Sequence, residues 1–551
     1  MSVGVGKYRR TDLMYFLFLL VAMSIYALHL FSFTVFEGFS TFSSDSFSFI
    51  RLARNWSPYE EAALFNLQTV PEHSRSPGFA LLLALSGGAE STYVGHLLVS
   101  ISMLVSIAIC GWLAYRNSNW LIGGALTISF CLLPGVIISS MGILSENSYL
   151  LFSMTVLLLY SHIKTNPNCR LGWFVVLFLC LTLAMLTRTV GIALVTTLIV
   201  VALFDREHGR YRRLFLLVAV MSVSVRQLWI ALGADVRVSG RFSIITQIFG
   251  NENQTYWSSI NFYWNIVQHN VFSLTNAWNH YLSLTSENLW FFMCSFALFS
   301  VCSIALILRA VQLKFDALYV FFYLGIVVLW PATQELVRFI HPIVMLLLLQ
   351  PLLYFRTQAC AAGWNRHKTV LLSVIAGLLF NSLIIQFHVL NLKQQAESSF
   401  PELVHSVEFY DLLDRDEAVR ISQVFRYTMN LIEESAKVIP PGSTVATVKH
   451  EAYLLLAGRE SVMLTTQVPL LQQLCNFKVR GVDFVFLSPL NSGLVPAPFE
   501  LANQYSGFSS FILTLDDAQG MPVAHVIKLD NEGIDSTLSE AGYNCQNYIV
   551  Q

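Results

Sequence analysis

Six short stretches of this chain set acids and bases beside long apolar runs. They are "SSDSFSFIRLARN" (43–55) with Asp45, and "VPEHSRSPGFALLLAL" (70–85) with Glu72, His73 and Arg75. Further on come "GILSENSYLLF" with Glu146, "LAMLTRTVGIALV" with Arg188, "MSVSVRQLWIAL" with Arg226, and "ELVRFIHPIVMLLLL" with Arg338 and His341. Ionisable groups at or inside an apolar layer are costly to keep, which makes each a candidate for function. A carboxylate can take the proton of an attacking hydroxyl. An arginine fork can hold a phosphate through paired N–H bonds. Each residue also has a plain structural role open to it. Asp45 and Glu146 stand where an acid complements the start of a helix, and Arg338 has Glu335 three residues away as a partner.

The elements that must position these residues are membrane helices. The 551 residues are 55% hydrophobic and 12% charged, with a mean hydropathy of +0.58. A water-soluble chain of this length needs more charge to cover its surface, so the composition is that of a polytopic α-helical membrane protein. Apolar runs fall near 13–33, 93–115, 119–138, 147–162, 171–187, 189–204, 213–232, 288–309, 316–331, 338–355 and 369–389, which makes about eleven spans. The first is too long for the apolar part of a signal peptide and has no small-residue cleavage site, so it is expected to stay.

The basic loops "GKYRR", "HIKTNPNCR", "FDREHGRYRR", "LRAVQLKFD" and "RTQACAAGWNRHK" fall on alternate sides of these spans, and the positive-inside rule puts all five in the cytoplasm. An odd span count then sends the C-terminus out. The loops 34–92 and 233–287 and the tail after 390 are therefore expected on the exterior or periplasmic face. In the first loop, Phe49, Leu52, Ala53 and Trp56 share one helical face, as in an interfacial helix lying on the bilayer.

The expected domains are a transmembrane catalytic domain over 1–390 and an exported soluble α/β domain over 391–551. In the latter, "VRISQVFRYTMNLIEESAKVIP" (419–440) reads as an amphipathic helix stopped by Pro440 and Pro441. The runs "GSTVATV", "RESVMLT", "GVDFVFLSP", "SSFILTL" and "PVAHVIKLD" read as strands, with "VPLLQQLCNF" as a helix among them. Only Cys475 and Cys545 of the nine cysteines lie in this tail, and the sequence leaves open whether they pair. Phosphate loops with Lys-Ser/Thr, HExxH, CxxC and nucleophile elbows are all missing, as are basic, aromatic-interleaved patches for nucleic acid. No ligand cluster demands a metal, although Asp45, Glu72 and His73 are the residues that offer one, and no cofactor is required.

One acid with several arginines on one side of a membrane suits a particular chemistry. A sugar carried on a polyprenyl phosphate can be moved to an acceptor hydroxyl if a carboxylate takes the hydroxyl's proton. The leaving phosphate is already a good anion and needs cations more than a proton. The glycosidase pair of carboxylates is then unnecessary.

The order "SDSFSFIRLARN", "HSRSPGFALLLAL", "SENSYLLF", "LTRTVGIALV", "RFIHPIVMLLLL" resembles that of the GT-C glycosyltransferases. The likeness is to the protein O-mannosyltransferase and aminoarabinose-transferase-like branch, and runs over residues 10–355. It continues into the tail, where "PPGSTVATVKHEAYLLLAGRESVML" is similar to a segment of bacterial members. The resemblance implies an inverting transferase using a polyprenyl-phosphate sugar and a glycan, lipid or protein acceptor, largely without metal, in a bacterial inner membrane. It puts the family's catalytic base on Asp45 and an acceptor- or sugar-site acid on Glu146, with Glu72 and His73 nearby in the first loop. Lipid-phosphate contacts fall on Arg75, Arg188 and Arg338, and Arg226 and His341 are added by their position. Phe47 and Phe49 stand near where the family often has tyrosine, and Ser76-Pro77-Gly78 replaces its Pro-Pro. A transporter or scramblase of a lipid-linked saccharide would also need arginines, but spread through the membrane rather than gathered at one face. An exported binding domain on a passive anchor does not account for so many spans.

Overall fold

The computed structural model describes residues 3–38, 44–59, 76–166, 170–204, 211–232, 256–283, 289–330, 336–362, 390–391, 393–395, 397–399, 415–464, 469–488, 505–516, 522–543 and 545. Two compact units emerge. One comprises Met1–Phe42 and Leu52–Arg415, and the other Ser43–Arg51 and Asp416–Gln551.

The first unit is a helical bundle. In chain order its helices are α1 (Val3–Phe33), α2 (Ser44–Arg54, whose first part belongs to the other unit), α3 (Pro77–Ser86), α4 (Thr92–Asn117), α5 (Trp120–Leu132), α6 (Pro134–Met141) and α7 (Ser145–Thr165). They are followed by α8 (Leu171–Thr187), α9 (Ile192–Phe204), α10 (Arg212–Leu232), α11 (Tyr256–Ser283), α12 (Leu289–Val311), α13 (Phe315–Val328) and α14 (Leu336–Ala362). Ten of the eleven apolar ranges coincide with these helices, and the eleventh, 369–389, lies outside the described residues.

Among the described residues, five helices are long and apolar enough to cross a membrane: Asp12–Phe33, Thr92–Asn117, Arg212–Ala231, Phe292–Val311 and Leu336–Arg356. The pair α5 and α6 adds a sixth if its 52° bend is counted as one broken span. Pro134 causes the break. It has no amide to continue the ladder and holds Leu133 before it in an extended conformation. Helices α8, α9 and α13 are apolar but shorter than the roughly 20 residues a straight crossing takes.

Burial ranks the helices by place. The apolar stretch of α14 is 89% buried, whereas those of α1 and α10 are 22% buried, so α14 is a central post and the other two face outward. Serines and threonines along the bundle return their hydroxyls to carbonyls four residues back, as Ser100, Ser106, Thr127 and Ser153 do. That keeps them satisfied where water is absent. Buried Arg309 donates to both oxygens of Asp316, at 2.7 Å each, and to Gln350 of α14 at 2.8 Å. Helix α11, in the range expected to be a large exterior loop, packs into the bundle through Trp278, whose indole donates to the Ser295 carbonyl.

The second unit holds α15 (Arg415–Val438), β1 (Thr444–Thr447), α16 (His450–Ala457), β2 (Glu460–Met463), α17 (Leu470–Val479), β3 (Phe484–Leu487), β4 (Ser509–Asp516), β5 (Pro522–Leu529) and α18 (Asn531–Glu540). The sheet order is β2-β1-β3-β5-β4; the first three strands are parallel and the last two antiparallel. One face buries Ala446, Val485 and Ile527 under α17 and α18. On the other, Tyr453 packs on Phe486 and exchanges a 2.7 Å hydrogen bond with Ser435 of α15. All four residues of β3 are buried, as in a strand covered on both faces. Cys475 and Cys545 form a disulfide with Cα atoms 5.2 Å apart.

Candidate active site

Glu146 stands in the first turn of α7, where the sequence "LSEN" starts a helix after an extended Leu144. Its carboxylate is 1% exposed and is met by two guanidinium groups, those of Arg188 and Arg338. Both arginines reach Oε1, and Ser145 donates to Oε2 at 3.3 Å. Arg188 leaves α8 in an extended conformation and is followed by a single 3-10 turn, Thr189–Gly191, before α9. The reversal is tight enough that a Cβ on Gly191 would lie 2.8 Å from Met185 Cα. Arg188 also rests 5.5 Å above the ring of Phe339, a cation–π contact. Arg338, in the first turn of α14, donates through Nε. Two guanidinium charges against one carboxylate leave this buried triad with a net charge of +1.

A second polar chain runs beside the triad. His341, one turn after Arg338, is fully buried. Its Nε2 lies 2.7 Å from Asn147 Oδ1 and its Nδ1 2.7 Å from the Tyr281 hydroxyl. Asn147 turns its amide nitrogen to Ser140 Oγ at 3.1 Å and to the Ser139 carbonyl at 3.3 Å. Ser140 gives its own proton to the Val136 carbonyl and also accepts from Tyr26 at 2.7 Å. Because the Asn147 nitrogen donates to Ser139 and Ser140, its Oδ1 is left to accept from His341 Nε2–H, and Nδ1 is hydrogen-bonded to the Tyr281 hydroxyl. Three further buried tyrosines lie by Arg188: Tyr149 and Tyr319 share a 3.1 Å bond, and Tyr323 donates to the Phe339 carbonyl at 2.8 Å.

The residues singled out in the sequence thus fall into separate places. Glu146, Arg188 and Arg338 come together, with His341 one turn away. The partner observed for Arg338 is Glu146, 192 residues distant, while Glu335 lies outside the described residues. Arg226 is half-buried on α10. Glu72, His73 and Arg75 lie outside the described residues. Asp45 occupies the first turn of α2 and is half-buried.

That helix does not bury a single stripe: Phe47, Ser48, Phe49, Ile50, Leu52 and Ala53 are all buried. The burial extends beyond the face that Phe49, Leu52 and Ala53 share. Phe47 packs on Phe425 of α15 within the second unit, with ring centroids 6.4 Å apart. Asn147, Tyr281 and the three tyrosines by Arg188 were not apparent as candidates. Asn147 is adjacent to Glu146 in "SENSY", and that adjacency was the available signal.

No protein-family model matches the chain, and no curated protein sequence does. Solved structures do. ArnT from Cupriavidus metallidurans bound to undecaprenyl phosphate aligns over 93% of this chain and 97% of its own, with a TM-score of 0.53 at 14% identity. The chain has a GT-C fold of the ArnT kind. The apo form of the same ArnT aligns over 94% of this chain and 98% of its own, with a TM-score of 0.52 at 13% identity. The archaeal oligosaccharyltransferase AglB from Archaeoglobus fulgidus, in complex with an inhibitory peptide and a dolichol-phosphate, covers 92% of this chain and 73% of its own at a TM-score of 0.45 and 13% identity.

Proposed function

We propose that this chain is an integral-membrane glycosyltransferase that moves a sugar from a polyprenyl-phosphate carrier to an acceptor hydroxyl at the exterior membrane face. The observation that carries this reading is the match along nearly the full length of both chains to ArnT, a structure that holds undecaprenyl phosphate. The buried triad with its surplus positive charge supports it from within.

In the proposed reaction the acceptor oxygen attacks the anomeric carbon and the bond from that carbon to the phosphate oxygen breaks, with inversion. Asp45 takes the acceptor's proton, and the lipid phosphate departs with the bonding pair. Arg188 and Arg338 stabilise that phosphate, with Arg75 and Arg226 as further cations on the same side. Glu146 holds the two buried guanidinium groups side by side, where they would otherwise repel. Glu72 and His73 serve the sugar or acceptor. The N-terminus lies in the cytoplasm and the C-terminal domain in the periplasm of a bacterial inner membrane, with about eleven spans between. The alternating basic loops support this orientation, and the Cys475–Cys545 disulfide suits an oxidising compartment.

The test uses purified protein in vesicles containing an undecaprenyl-phosphate-linked sugar and an envelope extract as acceptor. Acceptor-dependent release of undecaprenyl phosphate is expected, and Asp45→Asn should lower it by about 100-fold or more. Movement of the intact lipid-linked sugar between leaflets with no glycosylated product would favour a transporter instead.

A further inference from the structure

We propose that His341 is a positioning residue, which fixes α7 against α14 so that Glu146 and Arg338 meet in one geometry. The proposal rests on the reading above, in which Arg188 and Arg338 hold a lipid phosphate, and it adds what keeps them in place. Two neighbouring residues on α7, Glu146 and Asn147, reach two residues one turn apart on α14, Arg338 and His341. The pair of contacts spans the junction like two adjacent rungs.

The rungs differ in stiffness. An arginine has a long stem and can follow its carboxylate through small helix shifts. A histidine has two side-chain torsions, and here both ring nitrogens are committed at 2.7 Å. The histidine rung is itself braced. Tyr281 ties it to α11, and Asn147 passes it through Ser140 of α6 to Tyr26 of α1. Tyr281 lies tight against α6, where a Cβ on Gly135 would collide with its ring. Five helices are therefore linked through His341, whose two short torsions let it follow a shift less than the long stem of Arg338 does. A group that must meet its ligand in one orientation loses effect when it is slightly misplaced, even though the group itself is unchanged.

Binding of undecaprenyl phosphate to the full-length protein in nanodiscs tests this, using the wild type, His341→Ala, His341→Gln, Tyr281→Phe, Arg338→Ala and the His341→Ala/Arg338→Ala double variant. His341→Ala is expected to weaken binding about tenfold, and His341→Gln, which can still donate to Asn147, to restore part of it. Tyr281→Phe removes one hydroxyl and keeps the volume, so it should fold and lose about threefold. In the Arg338→Ala background the histidine change should add less than about twofold, because it acts through the group already removed. Losses that multiply independently in the double variant would overturn the positioning role, as would unchanged binding in both His341→Ala and Tyr281→Phe. Unchanged binding in Arg338→Ala alone would instead overturn the phosphate reading on which the role depends.

Discussion

Removing either partner of the buried triad has unequal consequences. Glu146→Gln leaves two guanidinium charges facing each other with no anion between them, whereas Arg188→Met leaves a neutral Glu146–Arg338 pair. Stranding buried charge costs roughly 3–5 kcal/mol. Glu146→Gln should therefore lower the thermal midpoint in detergent well below that of Arg188→Met. Arg188→Met should keep the fold and lose lipid-phosphate affinity. Equal midpoints would mean that the carboxylate is not what holds the two arginines. Each of the three residues stood out in the sequence as an ion beside an apolar run, but their meeting did not. A contact across 192 residues leaves no periodic trace, and local spacing points Arg338 to nearby Glu335 instead. His341 stood out for the same reason as the arginines, and its commitment to Asn147 and Tyr281 depends on helices that no local pattern could bring together.

At the scale of elements, composition and period were readable, while the covering of faces was not. The helical ranges follow from apolar length, and β1 to β5 fall on the five β-rich runs, β4 passing its own by one residue to Asp516, because those runs are bounded by proline, glycine and polar turns. Helix α2 differed. Its sequence sets Phe49, Leu52, Ala53 and Trp56 on one face, yet Phe47, Ser48 and Ile50 outside that face are buried too. The contact of Phe47 with Phe425 gives a direct check on that burial. Phe425→Ala should cost about 3 kcal/mol and expose α2 to limited proteolysis, whereas Phe425→Leu should be largely tolerated. The disulfide spans 70 residues, for which loop closure suggests about 4 kcal/mol of stabilisation. Cys475→Ser should lower the unfolding midpoint of the C-terminal domain accordingly, and reduction of the wild type should do the same.

The whole molecule is an orientation argument joined to a fold. The alternating basic loops are the ground on which we propose which side each loop faces, and cysteine labelling tests it. Thr165→Cys, in a loop expected to face the cytoplasm, should react with a membrane-impermeant maleimide only after permeabilisation. Glu434→Cys, exposed on α15, should react in intact spheroplasts. Labelling of both from the same side would break the topology and, with it, the placing of acids and arginines on one face.

The central claim is that the chain transfers a sugar from a lipid phosphate, with Asp45 as the base. Mass spectrometry of envelope glycans and lipids tests it most directly, comparing cells that lack the protein with cells restored by the wild type or by Asp45→Asn. The account predicts a sugar-bearing species that returns with the wild type and stays absent with Asp45→Asn produced at equal level. The same species at normal abundance in the Asp45→Asn cells would contradict it.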